Sequence, residues 1–306
     1  MKKIFFLSLA VIFTAVCSFA QTASWKNLRH SVYLGGGVNV YFGDLGHAKE
    51  TSHAFSVRDI SKESGGYSFQ AGYKFKLLER LSLRGNVLYS KIHGDDNYSK
   101  NPALNNRNLR FKSNLWDLSA NVDFYFIKEK EIPEGQKIKF SQRWSSYIFI
   151  GLAGIHYNPK GGLIGDEDNW QELRPLHSEG QGEIDGADSE YGNWTFSYPF
   201  GLGVNFLITR KFYIGLELTQ HYTTTDYLDD VSTNYYKESK NIYADQHLNA
   251  SGKVVSQADK YPTGTARGGS DYNDSYFTVL MNLGFKFGKS SSDDGKVEFI
   301  KRPKYF

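Results

Sequence analysis

From residue 30 onward the chain alternates. Val32, Leu34, Gly36, Val38, Val40 and Phe42 fall on one side of an extended segment, and Tyr33, Gly35, Gly37, Asn39 and Tyr41 on the other. That is the period of two of a strand, not the 3.6 of a helix. A second run sets Tyr67, Phe69, Ala71, Tyr73 and Phe75 against Ser68, Gln70, Gly72 and Lys74, and a third sets Leu81, Leu83, Val87 and Tyr89 against Ser82, Arg84, Asn86 and Ser90. In the fourth, Trp116, Leu118, Ala120, Val122, Phe124 and Phe126 oppose Asp117, Ser119, Asn121 and Asp123. The fifth, residues 144–157, is apolar on both faces. The sixth runs through Trp194, Phe196, Tyr198, Phe200, Leu202, Val204, Phe206 and Ile208, with Thr195, Ser197, Gly201, Gly203 and Asn205 opposite. The seventh opposes Phe212, Ile214, Leu216 and Leu218 to Tyr213, Gly215, Glu217, Thr219 and His221. The eighth opposes Phe277, Val279, Met281, Leu283, Phe285 and Phe287 to Tyr276, Thr278, Asn282 and Lys286.

A soluble sandwich alternates too, so alternation alone does not choose an architecture. Three features do. The runs are longer than the ~5–6 residues of an ordinary soluble strand. Rings gather near the ends of the apolar faces, where a membrane barrel carries its interfacial girdles. Lys74, Arg84, Asp117, Asp123, Glu217 and Lys286 sit on the polar faces. A dry sandwich core would hold such charges only at a large desolvation cost, whereas a barrel lumen can pair them.

The connections sharpen the picture. Residues 78–80 and 209–211 are tight links; residues 43–66, 93–110, 158–193 and 223–274 are long ones. In an up-and-down meander every long link falls at one end, the extracellular end of a bacterial outer-membrane barrel. The medium, Lys/Glu-rich link 127–143 and both termini fall at the other, periplasmic end. The expectation is an all-β fold: a transmembrane up-and-down antiparallel β-barrel of eight strands with long extracellular loops. Eight strands enclose a space that side chains can fill, which points to an anchor, scaffold or small enzyme and not to a pore.

The first twenty residues carry an address. Lys2 and Lys3 precede an apolar run from Ile4 to Val16, and Ser18-Phe19-Ala20 closes it with small residues flanking the ring. This is the pattern of a cleaved secretory signal, too short to span a bilayer. It divides the chain into a signal peptide (1–20), a barrel (21–287) and a periplasmic C-terminal tail (288–306). Cleavage would take the formal net charge from +3 to +1, so no argument for nucleic acid remains. It would also remove Cys17, the single cysteine. A lipoprotein reading would keep Cys17 as an acylated N-terminus, but Thr14 and Val16 are poor residues ahead of one. The mean hydropathy of −0.49 excludes a bundle of membrane helices, and 21 Tyr with 22 Phe exclude a disordered chain.

Candidate chemistry is sparse. Glu217, Thr219 and His221 share one face near the outer end of the seventh run, which raises a nucleophile-and-base reading beside the plainer one of a lumen hydrogen-bond network. No G-x-S-x-G, H-E-x-x-H or phosphate loop occurs. Acidic clusters at 166–168, 185–190 and 226–230 lack the spacing of a calcium loop, and the histidines lack ligand spacing. The expectation is no cofactor, no metal and no small-molecule substrate. The tail mixes charge with apolar residues through Lys296, Phe299, Ile300, Tyr305 and Phe306, as a peptide that orders on a periplasmic partner would.

Particular words in the loops carry a resemblance. Tyr41-Phe42-Gly43-Asp44-Leu45 ends the first run, Asn158-Pro159-Lys160 follows the fifth, and Glu179-Gly180-Gln181-Gly182 lies in the third long link. Pro199-Phe200-Gly201-Leu202-Gly203 lies within the sixth run. Thr225-Asp226-Tyr227-Leu228-Asp229-Asp230-Val231-Ser232 opens the fourth long link, and Arg267-Gly268 and Asn273-Asp274-Ser275-Tyr276 lead into the last run. In this order the chain resembles the PorG-like outer-membrane barrels of the Bacteroidetes type IX secretion system. The resemblance implies a non-enzymatic barrel in outer-membrane lipid that holds a periplasmic ring of PorK and PorN, and it supplies no catalytic residue. The motif words sit mostly at the extracellular end, where they would fix loop packing over the barrel mouth. Two other readings stand beside this one: a barrel enzyme working through Glu217 and His221, and a surface binder using the loops near Trp170 and 227–236.

Overall fold

The computed structural model describes residues 28–45, 65–98, 107, 109–130, 137–163, 166–183, 189–236, 246–248, 254–256 and 263–288. The signal segment 1–20 and the docking candidates Lys296, Phe299, Ile300, Tyr305 and Phe306 lie outside these residues. In chain order the strands are β1 (His30–Phe42), β2 (Gly65–Lys76), β3 (Leu81–Asp95), β4 (Arg110–Ile127), β5 (Trp144–His156) and β6 (Pro159–Leu163). They continue with β7 (Asp166–Glu172), β8 (Trp194–Leu207), β9 (Phe212–Thr223), β10 (Gln246–Leu248), β11 (Val254–Ser256) and β12 (Ser275–Phe287). No described helix is long and apolar enough to cross a membrane.

Eight strands close on themselves. Neighbours run β3-β2-β1-β12-β9-β8-β5-β4, and β4 returns to pair with β3. The closing seam joins the first and last strands in an unbroken antiparallel register from His30↔Phe287 to Phe42↔Ser275. The eight-stranded wall therefore has no open edge, as hydrocarbon demands of a backbone that finds no water there. The eight strands correspond to the eight runs. Two additions lie within the long links. β6 and β7 form a hairpin that extends the sheet from the upper part of β4, with Lys112 opposite Lys160. β10 and β11 pair separately.

The two faces divide as the alternation implies. Leu34 is 68% exposed, and Trp194 and Phe196 are each 70% exposed, on the outer surface. Tyr33, Gln70, Arg84, Asp117, Asp123 and Glu217 are buried on the inner one. Such a reversed distribution is stable only where the surrounding solvent is itself apolar. β5, apolar on both faces, directs Ile148, Ile150 and Leu152 outward and Tyr147, Phe149 and Ile155 inward.

The lumen has two storeys. Toward the short-turn end it is a ladder of charge. Asp123 forms ion pairs with Lys74 at 2.8 Å and Arg84 at 3.1 Å; Arg84 also reaches Glu217 at 2.5 Å, and Tyr147 donates to Glu217 at 2.7 Å. Lys286 pairs with Glu129 below. Toward the long-loop end the interior turns apolar: Leu88, Ile92, Phe111, Leu115, Ile155 and Leu280 pack with the loop residues Leu45, Leu173, Leu228 and Val231. The lumen is therefore filled by side chains at both levels, by paired charge below and by apolar packing above. Two spaces among the described residues measure about 10 Å³ at mid-lumen and about 20 Å³ at the short-turn end, each room for about one water.

Two motif residues within or beside the strands have local structural reasons. Pro199 cannot donate to a ladder. The β5–β8 register accordingly stops at Ile150↔Phe200 and resumes at Ala153↔Ser197, with Pro199 in the gap. A Cβ on Gly201 would lie 2.0 Å from the Leu218 backbone oxygen, so only glycine permits β8 and β9 to cross this closely.

Candidate functional site

The described parts of the four long connections converge on the barrel mouth. Their carboxylates make the convergence specific. Tyr41, at the top of β1, donates to Asp274 Oδ1 at 2.6 Å, and the Leu228 amide donates to Asp274 Oδ2 at 2.8 Å. Asp229 receives the Leu45 amide at 3.0 Å on one oxygen and the Val231 amide at 2.9 Å on the other. Asp44 receives the Gly269 amide at 2.8 Å. Three aspartates thus join these loop segments through backbone N–H groups, which loops leave free and strands do not.

Two arginines anchor the rest. Arg267 donates to Glu179 Oε1 at 3.0 Å and to the Asp230 carbonyl, with the Asp230 carboxylate 3.5 Å away. Glu179 also receives the Ser232 and Thr233 amides at 3.0 and 2.9 Å. Arg107 grips Asp96 with two nitrogens, at 2.6 and 3.0 Å, and donates to the carbonyls of Asp44 and Arg267, each at 2.6 Å. Asp230 adopts φ 69, a left-handed conformation that Asp tolerates better than most residues. Its carboxylate is held there by Ser178 and Tyr191, each at 2.6 Å. Tyr191 in turn stacks between Tyr157 and Tyr227, at centroid distances of 6.2 and 4.7 Å. Gly43 leaves room for the Tyr41–Asp274 bond, since a Cβ there would stand 1.6 Å from the Tyr41 hydroxyl.

More carboxylates than arginines are buried in this cap, and their acidities record it. Burial pushes Asp226 up to about 9 and Asp229 up to about 8, with Asp44 a further contributor to both. Asp230 rises only to about 6, because Arg267 opposes the effect of burial. Burial likewise raises Asp274, with Asp229 and Asp226 adding to the rise. At neutral pH some of the cap carboxyls therefore hold their protons.

Among the motif residues, Tyr41, Gly43, Asp44, Glu179, Asp226, Tyr227, Leu228, Asp229 and Asp230 come together in the cap, and Phe42 is buried beside them. Gly180, at φ 75, turns the chain beyond Glu179. Asn158 and Pro159 stand apart at the base of the β6–β7 hairpin, where Asn158 donates to Glu172 at 2.8 Å. Pro199 and Gly201 belong to the barrel wall. Sequence patterning missed Asp96, Arg107, Ser178 and Tyr191, which lie in links whose composition shows only that they are polar loops.

The Glu217–Thr219–His221 face is split between partners. Glu217 is held by Arg84 and Tyr147, while His221 stacks on Tyr276 at 4.2 Å and lies 3.2 Å from Asp117. The mid-lumen space that touches all three has room for about one water. Among the described residues no cluster of His, Cys, Asp or Glu has the geometry to hold a metal ion.

A closed antiparallel barrel with an apolar exterior, a charged and filled lumen and all its long loops at one end is an integral outer-membrane protein. The chain belongs to the family described as outer membrane protein beta-barrel domain, whose model matches residues 9–238. No curated protein matches it. Similar solved structures include Neisserial surface protein A, at 10% identity and TM-score 0.38, covering 84% of this chain and 97% of that one. Ail of Yersinia pestis, solved with the heparin analogue sucrose octasulfate, matches at 10% identity and TM-score 0.34, covering 85% of this chain and 100% of its own. A major outer membrane protein from Thermus thermophilus matches at 8% identity and TM-score 0.35, covering 84% of this chain and 99% of that one.

Proposed function

We propose that this barrel is a non-enzymatic anchor of the type IX secretion system, holding the periplasmic PorK and PorN ring against the outer membrane. The observation that carries the reading is the charge of the short-turn end. Arg29, Lys76, Arg80, Lys128, Lys130, Lys137, Lys139, Arg143, Arg210 and Lys211 gather there, against Glu79, Asp123 and Glu129 among the described residues, with Lys286 buried on Glu129 and with Glu131 and Glu134 of the same link outside the described residues. Lys137, Lys139 and Lys211 are exposed and form no ion pair with the described residues. Such a face suits an acidic protein surface, with steering by complementary charge. The filled lumen suits a scaffold better than a conduit. The loop motifs add the resemblance to the PorG-like barrels.

The test is co-purification from intact envelopes. Lys139→Glu combined with Lys211→Glu should leave the barrel heat-modifiable on a gel yet release PorK and PorN, and removal of residues 296–306 should weaken the association further. Undiminished recovery of both ring proteins with the charge-reversed barrel would refute the reading.

A further inference from the structure

The outer wall of the barrel is asymmetric just above its ring girdle. Tyr89 of β3 and Trp116 of β4 face the surroundings side by side, their centroids 5.0 Å apart, and Tyr67 lies beyond Tyr89 at 6.4 Å. Toward the long-loop end the outward positions turn cationic: Lys91 follows Tyr89 on β3, and beyond Asn114 on β4 come Lys112 and Arg110, with Lys160 on β6. The outward positions of β1, β2, β5, β8, β9 and β12 carry no Lys or Arg anywhere along their length.

This cluster is under-compensated. Lys112 and Lys160 stand directly opposite each other across the β4–β6 pair, and Lys91 is opposite Asn114, the outward neighbour of Lys112. Like charges so placed repel. Lys160 has one carboxylate partner, Glu172 at 3.3 Å, and Asp95 lies opposite Arg110 in the register. Lys91 and Lys112 have no ion-pair partner among the described residues, and the buried Nε of Arg110 has no hydrogen-bond partner. Trp170 on β7 draws the group together: Lys112 Nζ lies 3.9 Å and the Arg110 guanidinium 4.9 Å from its ring centroid. An indole face so placed offers a flat apolar platform beside the charges.

Ring girdles mark the boundary between hydrocarbon and headgroups. Cations one to three outward positions beyond the girdle, facing away from the lumen, lie at the depth of outer-leaflet phosphates. We propose that the face formed by Lys91, Arg110, Lys112, Lys160 and Trp170 is a seat for the phosphorylated headgroup of an outer-leaflet glycolipid. The lysines and Arg110 bind its phosphates, and Trp170 packs against its sugar. The proposal is independent of the periplasmic anchoring role, since the seat lies at the opposite end of the barrel.

The test uses the full-length barrel in neutral detergent, titrated with bisphosphoryl lipid A and with its dephosphorylated form, and followed by native mass spectrometry. Wild type should prefer the bisphosphoryl form by about tenfold or more, as charge-assisted bonds to phosphate require. Lys91→Gln with Lys112→Gln should abolish that preference while the protein stays heat-modifiable, and Lys91→Arg with Lys112→Arg should keep it. Added salt should weaken binding of the bisphosphoryl form alone. Equal binding of both lipid forms, or an unchanged preference in the double Gln variant, would overturn the proposal. So would a preference for a soluble sulfated oligosaccharide over lipid A, which would assign the face to an extracellular polyanion.

Discussion

The lumen ladder and the extracellular cap both bury charge, and they stabilise it in different ways. In the lumen, nearly all backbone N–H groups are committed to the barrel's hydrogen-bond ladders, the gap beside Pro199 aside, so a buried carboxylate must find a side chain. Asp123 and Glu217 are accordingly met by Lys74, Arg84 and Tyr147. In the cap, loop amides are free, and Asp44, Asp229, Asp274 and Glu179 take their hydrogen bonds largely from backbone N–H groups. Fewer cations are needed there, and retained protons cover part of the difference. A strand-bound charge is thus a matter of pairing, and a loop-bound one of local backbone conformation and pH.

The comparison breaks hardest at Arg84. Arg84→Leu leaves Asp123 and Glu217 short of a cation in the barrel wall, at a cost of about 3–5 kcal/mol. The folded, heat-modifiable band should melt at a markedly lower temperature. Adding Asp123→Asn and Glu217→Gln should recover most of the loss. Full stability of Arg84→Leu alone would show that water, not pairing, satisfies the ladder.

In the cap, Arg267→Met should act locally. Loss of its bonds to Glu179 and Asp230 is similar in size but confined to the loops, so opening should rise by roughly several hundredfold or more. Limited proteolysis within 225–236 reads that change while the melting temperature of the barrel stays near wild type. A collapse of the barrel itself would mean that cap and wall unfold as one unit.

The pH response should separate the regions next. Asp226 and Asp229 have folded-state values raised from 3.8 to about 9 and about 8. The folded cap therefore binds protons that the open loops release. That stabilisation is complete below about pH 4 and is lost as pH rises through 8 to 9. Protease cleavage of the cap should be faster at about pH 10 than at about pH 6 by roughly tenfold or more, with the barrel intact at both. Asp226→Asn with Asp229→Asn should flatten the profile.

The smallest effect is at Gly43. Gly43→Ala forces the Tyr41 hydroxyl from Asp274, for about 1–3 kcal/mol. In a Tyr41→Phe background only part of that cost should vanish, because a Cβ at position 43 also stands 2.0 Å from Asp274 Oδ1 and 2.2 Å from the Tyr41 ring carbon Cζ, which Phe retains. A double-mutant cycle on cap proteolysis measures the coupling.

Much of the barrel was legible because membrane strands write a simple code. Outward residues must be apolar, inward ones are free to be polar, and the period is two, so the alternation at 65–76 or 194–207 assigns faces without further information. The upper lumen was harder to read. Leu88, Ile92, Leu115, Ile155 and Leu280 point inward yet are as apolar as the wall, so alternation lapses where the interior is dry on one side and lipid lies on the other. The β6–β7 hairpin was likewise hidden, since Lys160 and Glu172 look like ordinary loop residues until β4 supplies an edge.

What the sequence determined by itself is an outer-membrane location, an all-β fold, eight spanning runs and the end on which the long loops lie. These follow from local period, ring placement and link length, each a property of neighbouring residues. Only the tertiary structure decided that Asp229 would meet Leu45, that Arg107 would cap Asp96, and that Lys91, Lys112 and Trp170 would share one outer face. Those meetings join residues far apart in the chain, and their partners were fixed only once the first and last strands closed and brought the loops and the neighbouring strands together.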